Sequence, residues 1–243
     1  KFFFFLIFGF SLCINPLFSQ NTTLKYGVNS TFHTKKLFGL YEELEASDAD
    51  IKFNFKYINK VISSNLIFSH HTQNGLNFDG SNIQYKKGIA KFGFGRINRN
   101  WSFSKKSSLI LSSNARPFES IYLNLEDKFG LTWLPSSANW SIEVFNGATQ
   151  RSRNNGQSMI FGARSIITPI RGLSFELFQT SQWGGNRDKI NSSMLNGILF
   201  GDTNEGDSAH INKMAGFGAS YQISNDMIPL RIYAQTVGED EAG

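Results

Sequence analysis

The chain has 243 residues, and its 24 Lys and Arg against 19 Asp and Glu give a net charge of +5 at neutral pH. This length suits one large domain or two small ones. The basic residues are dispersed, and no module combines them with stacking aromatic residues, which argues against a nucleic-acid partner. The 24 Phe and 22 Gly, with only 5 Pro, favour many short strands over a helical protein.

The first twenty residues have the character of a secretory signal peptide. Lys1 precedes an apolar run that extends to about Leu12, and Ser19 supplies a small residue near a plausible cleavage point. The run is too short to span a membrane as a helix, so we predict a signal peptide over residues 1–20. The only cysteine, Cys13, falls within it, and the mature chain is therefore predicted to contain no disulfide.

Beyond this segment, alternation of apolar and polar residues dominates. In the segment 51–57 the odd positions are Ile, Phe, Phe and Tyr, whereas Lys52, Asn54 and Lys56 occupy even positions, as in a strand with one apolar face. Only the segment 36–45 predicts a helix, because its Leu and Tyr residues share one helical face. Further strands are predicted at 61–72, 82–86, 88–98, 108–116, 119–125, 129–134, 139–146, 158–168, 172–182, 215–223 and 230–236.

These strands have the length of membrane-spanning strands in an outer-membrane barrel, although a soluble sandwich shows the same alternation. The signal peptide favours the barrel. So do four tryptophans at predicted strand ends, since aromatic girdles mark the membrane interfaces: Trp101, Trp133, Trp140 and Trp183.

No residue pattern indicates catalysis or a metal site. The four histidines lack metal-ligand spacing, and the sequence has no Gly-x-Ser-x-Gly elbow. The segment 202–207 has oxygen ligands at calcium-like spacing but no closing bidentate Glu, which favours a solvated loop. We therefore predict a protein that is not an enzyme and that binds no cofactor and no metal.

Three motifs in the C-terminal part occur in a distinctive order. They are Gln182-Trp-Gly-Gly followed by Arg187, Ala215-Gly-Phe, and Tyr233-Ala-Gln-x-x-Gly-Glu-Asp-Glu. Together with the upstream segment 108–117, they resemble the Wzi family of capsule-assembly proteins, over roughly residues 85–243. The resemblance implies an outer-membrane β-barrel of a Gram-negative bacterium that holds capsular polysaccharide at the cell surface, in a lectin-like way and without covalent catalysis. The helical plug of that family is not evident, and only 36–45 could stand in for it.

We accordingly predict an all-β fold, a transmembrane antiparallel outer-membrane β-barrel built by residues 21–243. Family barrels have more strands than the sequence indicates, the chain lacks an initiator Met, and it stops in a loop at Gly243. The barrel is therefore expected to be partial and truncated at both ends, with its C-terminal strands missing. Two rival functions stay open: a diffusion porin or specific channel, and a secreted soluble β-sandwich lectin.

Polar and aromatic residues near predicted strand ends are the candidates for polysaccharide contact. A Trp ring covers the apolar face of a sugar, while Arg, Asn and carboxylates satisfy hydroxyls and charges. The residues predicted to bind polysaccharide are Trp183, Arg187, Asn114, Arg116, Glu239 and Asp240. The competing explanation is packing, since Trp anchors strand ends and inward Arg and Glu fill a barrel interior.

Strand phase gives a second set of predictions. If Leu109, Leu111, Leu230 and Ile232 face lipid, then the intervening polar residues face the barrel interior, because charge on a lipid face is costly. The residues predicted to face the interior are Ser112, Arg231, Tyr233 and Gln235, with Asn114, Arg116 and Glu239 in the same phase. The predicted partners are capsular or surface polysaccharide, outer-membrane lipid and lipopolysaccharide. Whether the turns after Trp183 and Gly238 emerge at the same rim depends on strand parity, which the sequence leaves open.

Overall fold

A computed structural model describes residues 23–32, 37–38, 43–44, 49–71, 75–104, 108–112, 115–131, 133–149, 157–184, 198, 211–223 and 230–239. These residues form an all-β structure. Its strands are β1 (Thr23–Phe32), β2 (Leu37–Phe38), β3 (Glu43–Leu44), β4 (Ala49–Ile58), β5 (Ile62–His71), β6 (Gly75–Asn77), β7 (Asn82–Lys87), β8 (Ala90–Arg96), β9 (Glu119–Lys128), β10 (Asn139–Ala148), β11 (Ser158–Ile170), β12 (Leu173–Gly184), β13 (Asn212–Ile223) and β14 (Leu230–Glu239).

One antiparallel sheet contains all strands except the small β2–β3 pair. Its order is β1-β4-β5-β7-β8-β9-β10-β11-β12-β13-β14, and β6 pairs with the end of β5. Among the described residues β1 and β14 are the two edges and do not pair with each other, so the sheet is open. The predicted all-β antiparallel fold is confirmed, and the open sheet has the form expected of part of a barrel.

The two faces of the sheet differ sharply in chemistry. Along β12, Phe175 and Leu177 are exposed while Glu176 and Phe178 are buried. Strand register extends this alternation across the sheet, because directly paired residues lie on the same face. We call the face that carries Glu176 the inner face. The opposite, outer face presents a row of exposed large apolar side chains, which includes Phe92, Phe94, Ile121, Leu177, Phe217 and Ile232.

The alternation predicted for 51–57 is present in the register. Phe53 pairs with Phe68 and Phe55 with Leu66, and these side chains share the outer face. Lys56 pairs with Asn65 on the opposite, inner face. Leu230 and Ile232 likewise lie exposed on the outer face, as predicted.

Two predicted strands are wrong. The segment 108–116 does not join the sheet, because it folds back on the preceding residues, and Trp101 N donates to Leu111 O at 2.9 Å. Leu111 consequently packs against the buried inner cluster instead of facing lipid. The segment 129–134 forms turns, in which Leu134 N donates to Leu131 O at 3.1 Å, because Gly130 and Pro135 interrupt any ladder there.

The predicted helix at 36–45 is also wrong where the structure describes it. Leu37 and Phe38 pair with Leu44 and Glu43 as two short antiparallel strands. Gly39 lies inside the predicted helix, and its low helix propensity disfavours that helix. The other residues of this segment lie outside the described ranges. The sequence also failed to predict β1.

The two ends of the sheet carry different connections. At one end, which we call the hairpin rim, short segments join consecutive strands: 59–61, 88–89, 129–138 and 171–172. At the other end, the loop rim, the connections include the long segments 97–118 and 185–211. Both Gly184 and Glu239 end their strands at the loop rim, since the register places β12 and β14 parallel on either side of β13. The two turns whose parity was open therefore emerge at the same rim.

Candidate functional site

The connection 97–118, which we call the inner loop, lies against the inner face of the sheet. Its centre is Trp101, which is 1% exposed and packs edge-on against Phe145 with ring centroids 5.4 Å apart. Tyr122 and Phe178 complete this buried cluster. Gly162 lies beneath it, and a Cβ at that position would overlap the Phe145 ring. The aromatic packing therefore holds the inner loop on the sheet.

A buried ion pair fixes the start of the inner loop. Arg99 Nε donates to Glu143 Oε1 at 2.8 Å, and Arg99 Nη2 donates to Ser120 Oγ at 3.0 Å. Trp101 Nε1 donates to the second oxygen of Glu143 at 3.1 Å. The guanidinium also lies 4.1 Å from the centre of the Phe145 ring, a cation–π geometry. Burial lowers the pKa of Arg99 from its ordinary value, and the charge of Glu143 opposes that shift.

The inner loop also contacts the far edge of the sheet. Gln235 in β14 donates through Nε2 to Trp101 O at 2.6 Å, and its Oε1 accepts from Leu109 N at 3.2 Å. Arg231, also in β14, donates to Phe103 O at 3.2 Å. These bonds hold the loop between β10 and β14 across the inner face.

A second ion pair lies beside this contact. The Glu176 side chain has no exposed surface, and its Oε2 accepts from Arg164 Nε at 2.9 Å. Gln235 Nε2 donates to the other oxygen at 3.1 Å. Gly218 pairs with both Glu176 and Gln235, and the missing side chain at that position leaves room for the carboxylate. Because desolvated charges are costly unless paired, this arrangement satisfies Glu176 on both oxygens.

On the hairpin side of the inner loop, the inner face contains a shallow polar cavity of about 190 Å³. Its polar lining residues are Asn124, Glu126, Ser141, Glu143 and Arg164. Glu126 forms an ion pair with Lys91, and Asn124 Oδ1 is buried without a hydrogen-bond partner among the described atoms. Carboxylate, amide, hydroxyl and guanidinium groups together can bind polyhydroxylated ligands through complementary donors and acceptors.

A charged cluster lies at the loop rim. Arg116 Nε contacts Asp79 Oδ2 at 2.7 Å, and Arg96 contacts Asp79 Oδ1 at 3.4 Å and Glu119 Oε1 at 2.6 Å. Asn77 orients Asp79, because its Nδ2 donates to Asp79 Oδ2 at 3.1 Å. The two guanidinium groups are partly exposed and present donors at this rim.

The predicted interior residues have different environments. Arg231 and Gln235 contact the inner loop as described above. Ser112 is half-buried within that loop, while Tyr233 is 44% exposed at an inner-face position opposite Ser220. In addition, Glu239 is exposed at the loop rim.

The predicted polysaccharide contacts are not brought into one group. Arg116 belongs to the charged cluster, and Glu239 ends β14 at the same rim. Arg187, Asn114 and Asp240 lie outside the described residues. Their proposed contacts stay predictions.

Trp183 lies on the outer face and is only 6% exposed. It packs with Ile198 and Ile211, and Met159 and Phe161 flank this cluster. In this structure the ring offers no free face for sugar stacking, so its polysaccharide contact also stays a prediction. Trp101 was also predicted to lie at a membrane interface, but it is buried on the inner face. Trp133 is 75% exposed at the hairpin rim, where an aromatic girdle was expected.

Sequence reasoning missed the ion pairs that organise the inner face. Glu143, Arg164 and Glu176 occupy inner positions of strands that were predicted, so strand phase could have identified them as interior charges. Arg99 and Trp101 lie in a connection without alternation of apolar and polar residues, and no local pattern predicted their burial.

Two features are absent from the described residues. No three His, Cys, Asp or Glu side chains come together in a way that could hold a metal ion. No helix in the same part of the chain is long and apolar enough to cross a membrane.

Comparison with known proteins places these features in a family. The model of the family described as "Capsule assembly protein Wzi" matches residues 18–243. An uncharacterized 55.8 kDa protein in the cps region of Klebsiella pneumoniae is 26% identical over 154 residues, which is 62% of this chain and 31% of that protein.

A solved structure has the same fold. It is Wzi, an outer-membrane protein involved in group 1 capsule assembly in Escherichia coli and described as a carbohydrate-binding β-barrel. The TM-score is 0.66 at 19% identity, and the match covers 96% of this chain and 52% of that one. The chain thus spans about half of the solved barrel and less than a third of the Klebsiella protein.

Proposed function

Because the chain belongs to the Wzi capsule-assembly family, we propose that it is part of an outer-membrane barrel that attaches capsular polysaccharide to the cell surface. Attachment is by binding, in a lectin-like way, without covalent catalysis and without a cofactor. The observation that carries this proposal is the inner loop, which lies across the inner face and joins the charged cluster at the loop rim.

The distribution of side chains supports a membrane location. Exposed Phe, Leu and Ile side chains cover the outer face, whereas the buried ion pairs Arg99–Glu143 and Arg164–Glu176 lie on the inner face. This is the alternation of a barrel whose strands cross a bilayer, with the outer face against lipid acyl chains and lipopolysaccharide. A signal peptide over residues 1–20 would deliver the chain to the outer membrane.

The lengths of the connections at the two rims support one orientation of the barrel in the outer membrane. Outer-membrane barrels have short turns on the periplasmic side and long loops outside the cell. The loop rim, with segments 97–118 and 185–211, then faces the surface where capsule is held. The Arg96 and Arg116 donors lie at this rim and can bind sugar hydroxyls or carboxylates through charge-assisted hydrogen bonds. Arg187, Asn114, Glu239 and Asp240 are proposed as further contacts.

The inner loop also bears on the two rival functions. A diffusion porin needs an open interior, and the bonds from Trp101 to Glu143 and Gln235 keep the loop across the inner face. A soluble sandwich needs a second sheet over the apolar outer face, and none covers it among the described residues.

The test uses the full-length protein in a capsule-producing strain from which its gene has been deleted. Restoring the gene should return polysaccharide from the medium to the cells. The proposal is wrong if the deletion strain retains capsule as well as the parent. Planar-bilayer recordings of the purified protein test the porin alternative, which predicts sustained open channels.

A further inference from the structure

We propose that the hairpin rim binds anionic phospholipids, whose headgroups carry a phosphate without a balancing cation. This inference goes beyond the proposed function and rests on it for the orientation, which puts the hairpin rim on the periplasmic side. The periplasmic leaflet of an outer membrane consists of phospholipid, whereas lipopolysaccharide occupies the leaflet that faces outward. Phospholipid is therefore the lipid that this rim meets.

An aromatic belt on the outer face marks the membrane interface at this end of the sheet. Tyr85 is paired with Phe92, and Tyr221 with Ile232, two side chains of the outer face. Two further rings have the same phase in their strands. All four lie within two residues of the hairpin-rim ends of their strands: Tyr57, Tyr85, Trp140 and Tyr221. Because Tyr and Trp rings concentrate at the level of lipid headgroups, the belt places the bilayer surface at this rim.

Exposed cations lie just beyond this belt, at the hairpin turns. Lys60 lies in the β4–β5 turn, Lys87 ends β7, and Arg171 lies in the β11–β12 turn. All three side chains are exposed, as is Lys128 at the end of β9. Neighbouring turns are two strands apart, which places successive cations about 10 Å from one another. The rim therefore carries a row of positive charges at the depth of the headgroups.

An exposed apolar side chain accompanies the cation at each of these turns. In the β9–β10 turn this side chain is Trp133, which is 75% exposed. The other pairs are Lys60 with Val61, Lys87 with Ile89, and Arg171 with Ile170. An apolar side chain can enter the acyl region of a bilayer while a long cationic side chain beside it reaches the headgroup phosphate. This repeated pairing is favourable at a lipid surface, whereas in water the apolar members would gain nothing from exposure.

The protein supplies little negative charge to neutralise the turn cations. Asp127 is the only Asp or Glu within two residues of the four turns. Among the described residues, Lys60, Lys87 and Arg171 form no ion pair. At the loop rim, by contrast, the guanidinium groups of the charged cluster contact carboxylates. Because each cation close to a membrane surface attracts anionic lipid, the hairpin rim should favour lipids of net negative charge over zwitterionic ones.

Other lysines at this end of the sheet lie on the inner face and would meet a different partner. Lys25 is paired with Lys56, and Lys86 with Lys91, which is also paired with Asn124 of the inner cavity. An acidic protein that entered the barrel from the periplasm would contact these inner lysines. Such a partner accounts neither for the aromatic belt on the outer face nor for the apolar side chains of the turns. The observations therefore favour lipid.

The experiment measures lipid selectivity from the quenching of tryptophan fluorescence by brominated lipids. The full-length protein is reconstituted in phosphatidylcholine bilayers, in which brominated phosphatidylglycerol or brominated phosphatidylcholine replaces part of the lipid. Trp133 and Trp140 lie at the hairpin rim and serve as reporters. The ratio of the two binding constants gives the preference for the anionic headgroup. Because both leaflets contain the same lipids, the ratio does not depend on the orientation of the barrel.

Two triple variants are compared with the wild type. The test variant removes three turn cations: Lys60→Gln, Lys87→Gln and Arg171→Gln. The matched control removes the same charge from three exposed lysines of the inner face at the same end: Lys25→Gln, Lys56→Gln and Lys86→Gln. Heat-modifiable migration in gels verifies that each variant forms the barrel.

We expect the wild type to bind phosphatidylglycerol about fivefold more strongly than phosphatidylcholine at low salt, and this preference should fall as salt rises. In the test variant the ratio should approach one, while the inner-lysine control should keep the ratio of the wild type. Equal binding of the two lipids by the wild type would overturn the inference. So would an undiminished ratio in the test variant, or an equal loss in the control, which would assign the anionic group to the interior.

Capsule retention distinguishes a failure of this inference from a failure of the proposed function. If the wild type shows no preference for phosphatidylglycerol but restores polysaccharide to the deletion strain, the lipid site is wrong and the proposed function stands. If the preference is present but polysaccharide stays in the medium, the lipid site stands and the proposed function is wrong.

Discussion

Gln235 donates a hydrogen bond to the backbone carbonyl of Trp101 at 2.6 Å, although 134 residues separate them in the chain. The Trp101 indole at the same time donates to Glu143 in β10. In a flat sheet β10 and β14 would lie about 19 Å apart, because four strand spacings separate them. One residue connects the two strands, so the sheet must curve around the inner loop. The contact thus links the fold of a partial barrel to the placement of the loop inside it.

Gln235→Ala should loosen the inner loop. It removes the bonds to Trp101 O and Leu109 N and leaves Glu176 Oε1 without one donor. We expect a loss of about 1–3 kcal/mol in the free energy of unfolding, measured by denaturant titration in detergent. Thr236→Ala, at the next position on the outer face, is the control and should change stability by less than about 0.5 kcal/mol. Equal effects of the two substitutions would show that the loop contact contributes nothing.

Glu143→Gln should be more damaging, because it leaves the Arg99 guanidinium buried without a counter-charge. Removing one partner of a buried pair costs about 3–5 kcal/mol, and the partial exposure of Glu143 reduces this to about 2–4 kcal/mol. Glu126→Gln breaks the more exposed pair with Lys91 and should cost about 0–1 kcal/mol. The same unfolding titration compares the two variants, and a larger loss for Glu126→Gln would refute the role assigned to Glu143.

The Gly218→Ala substitution tests the space above Glu176. The added Cβ would lie 2.5 Å from Glu176 Oε1, so the buried carboxylate would have to move away from Arg164 or Gln235. We expect destabilisation of about 1–3 kcal/mol. Gly27→Ala is the control, since nothing lies within 4 Å of a Cβ there. Thermal unfolding followed by circular dichroism distinguishes them, and identical midpoints would contradict the packing described.

Trp183→Ala separates packing from polysaccharide contact. Its ring is buried against Ile198 and Ile211, so the structure predicts a loss of about 3–5 kcal/mol and less folded barrel in the membrane. Trp133→Ala, at an exposed ring, should leave abundance unchanged. Quantitative immunoblots of outer-membrane fractions give the comparison. Normal abundance of Trp183→Ala together with shed capsule would instead favour direct contact with the glycan.

The sequence was most informative where strands alternate. Phe53 and Lys52, or Ile232 and Arg231, lie on opposite faces as their spacing predicted, because register and burial follow a period of two. It was misleading at 108–116, whose alternation matched a strand although the segment folds back on Trp101. A local pattern cannot reveal that partner, because the contacts from Trp101 to Glu143 and Gln235 join distant parts of the chain. The motif around Trp183 likewise indicated the family, but it did not predict that the Trp183 ring is buried on the outer face, because Ile198 and Ile211 are distant from it in the chain.

The central claim is that the loop rim holds capsular polysaccharide, and capsule retention in the double variant Arg96→Ala/Arg116→Ala tests it most directly. Asp79→Asn is added to the double variant, because the Asp79 carboxylate is 11% exposed and would otherwise lose both of its paired cations. With that carboxylate neutralised, the barrel should fold and reach the outer membrane at normal abundance. Loss of the charge-assisted bonds of Arg96 and Arg116 should weaken each contact by about 1–3 kcal/mol, and many copies along one polymer amplify that loss. The expected result is polysaccharide made in normal amount but found mostly in the culture medium. Full retention of polysaccharide on cells that carry normal amounts of this variant would contradict the claim.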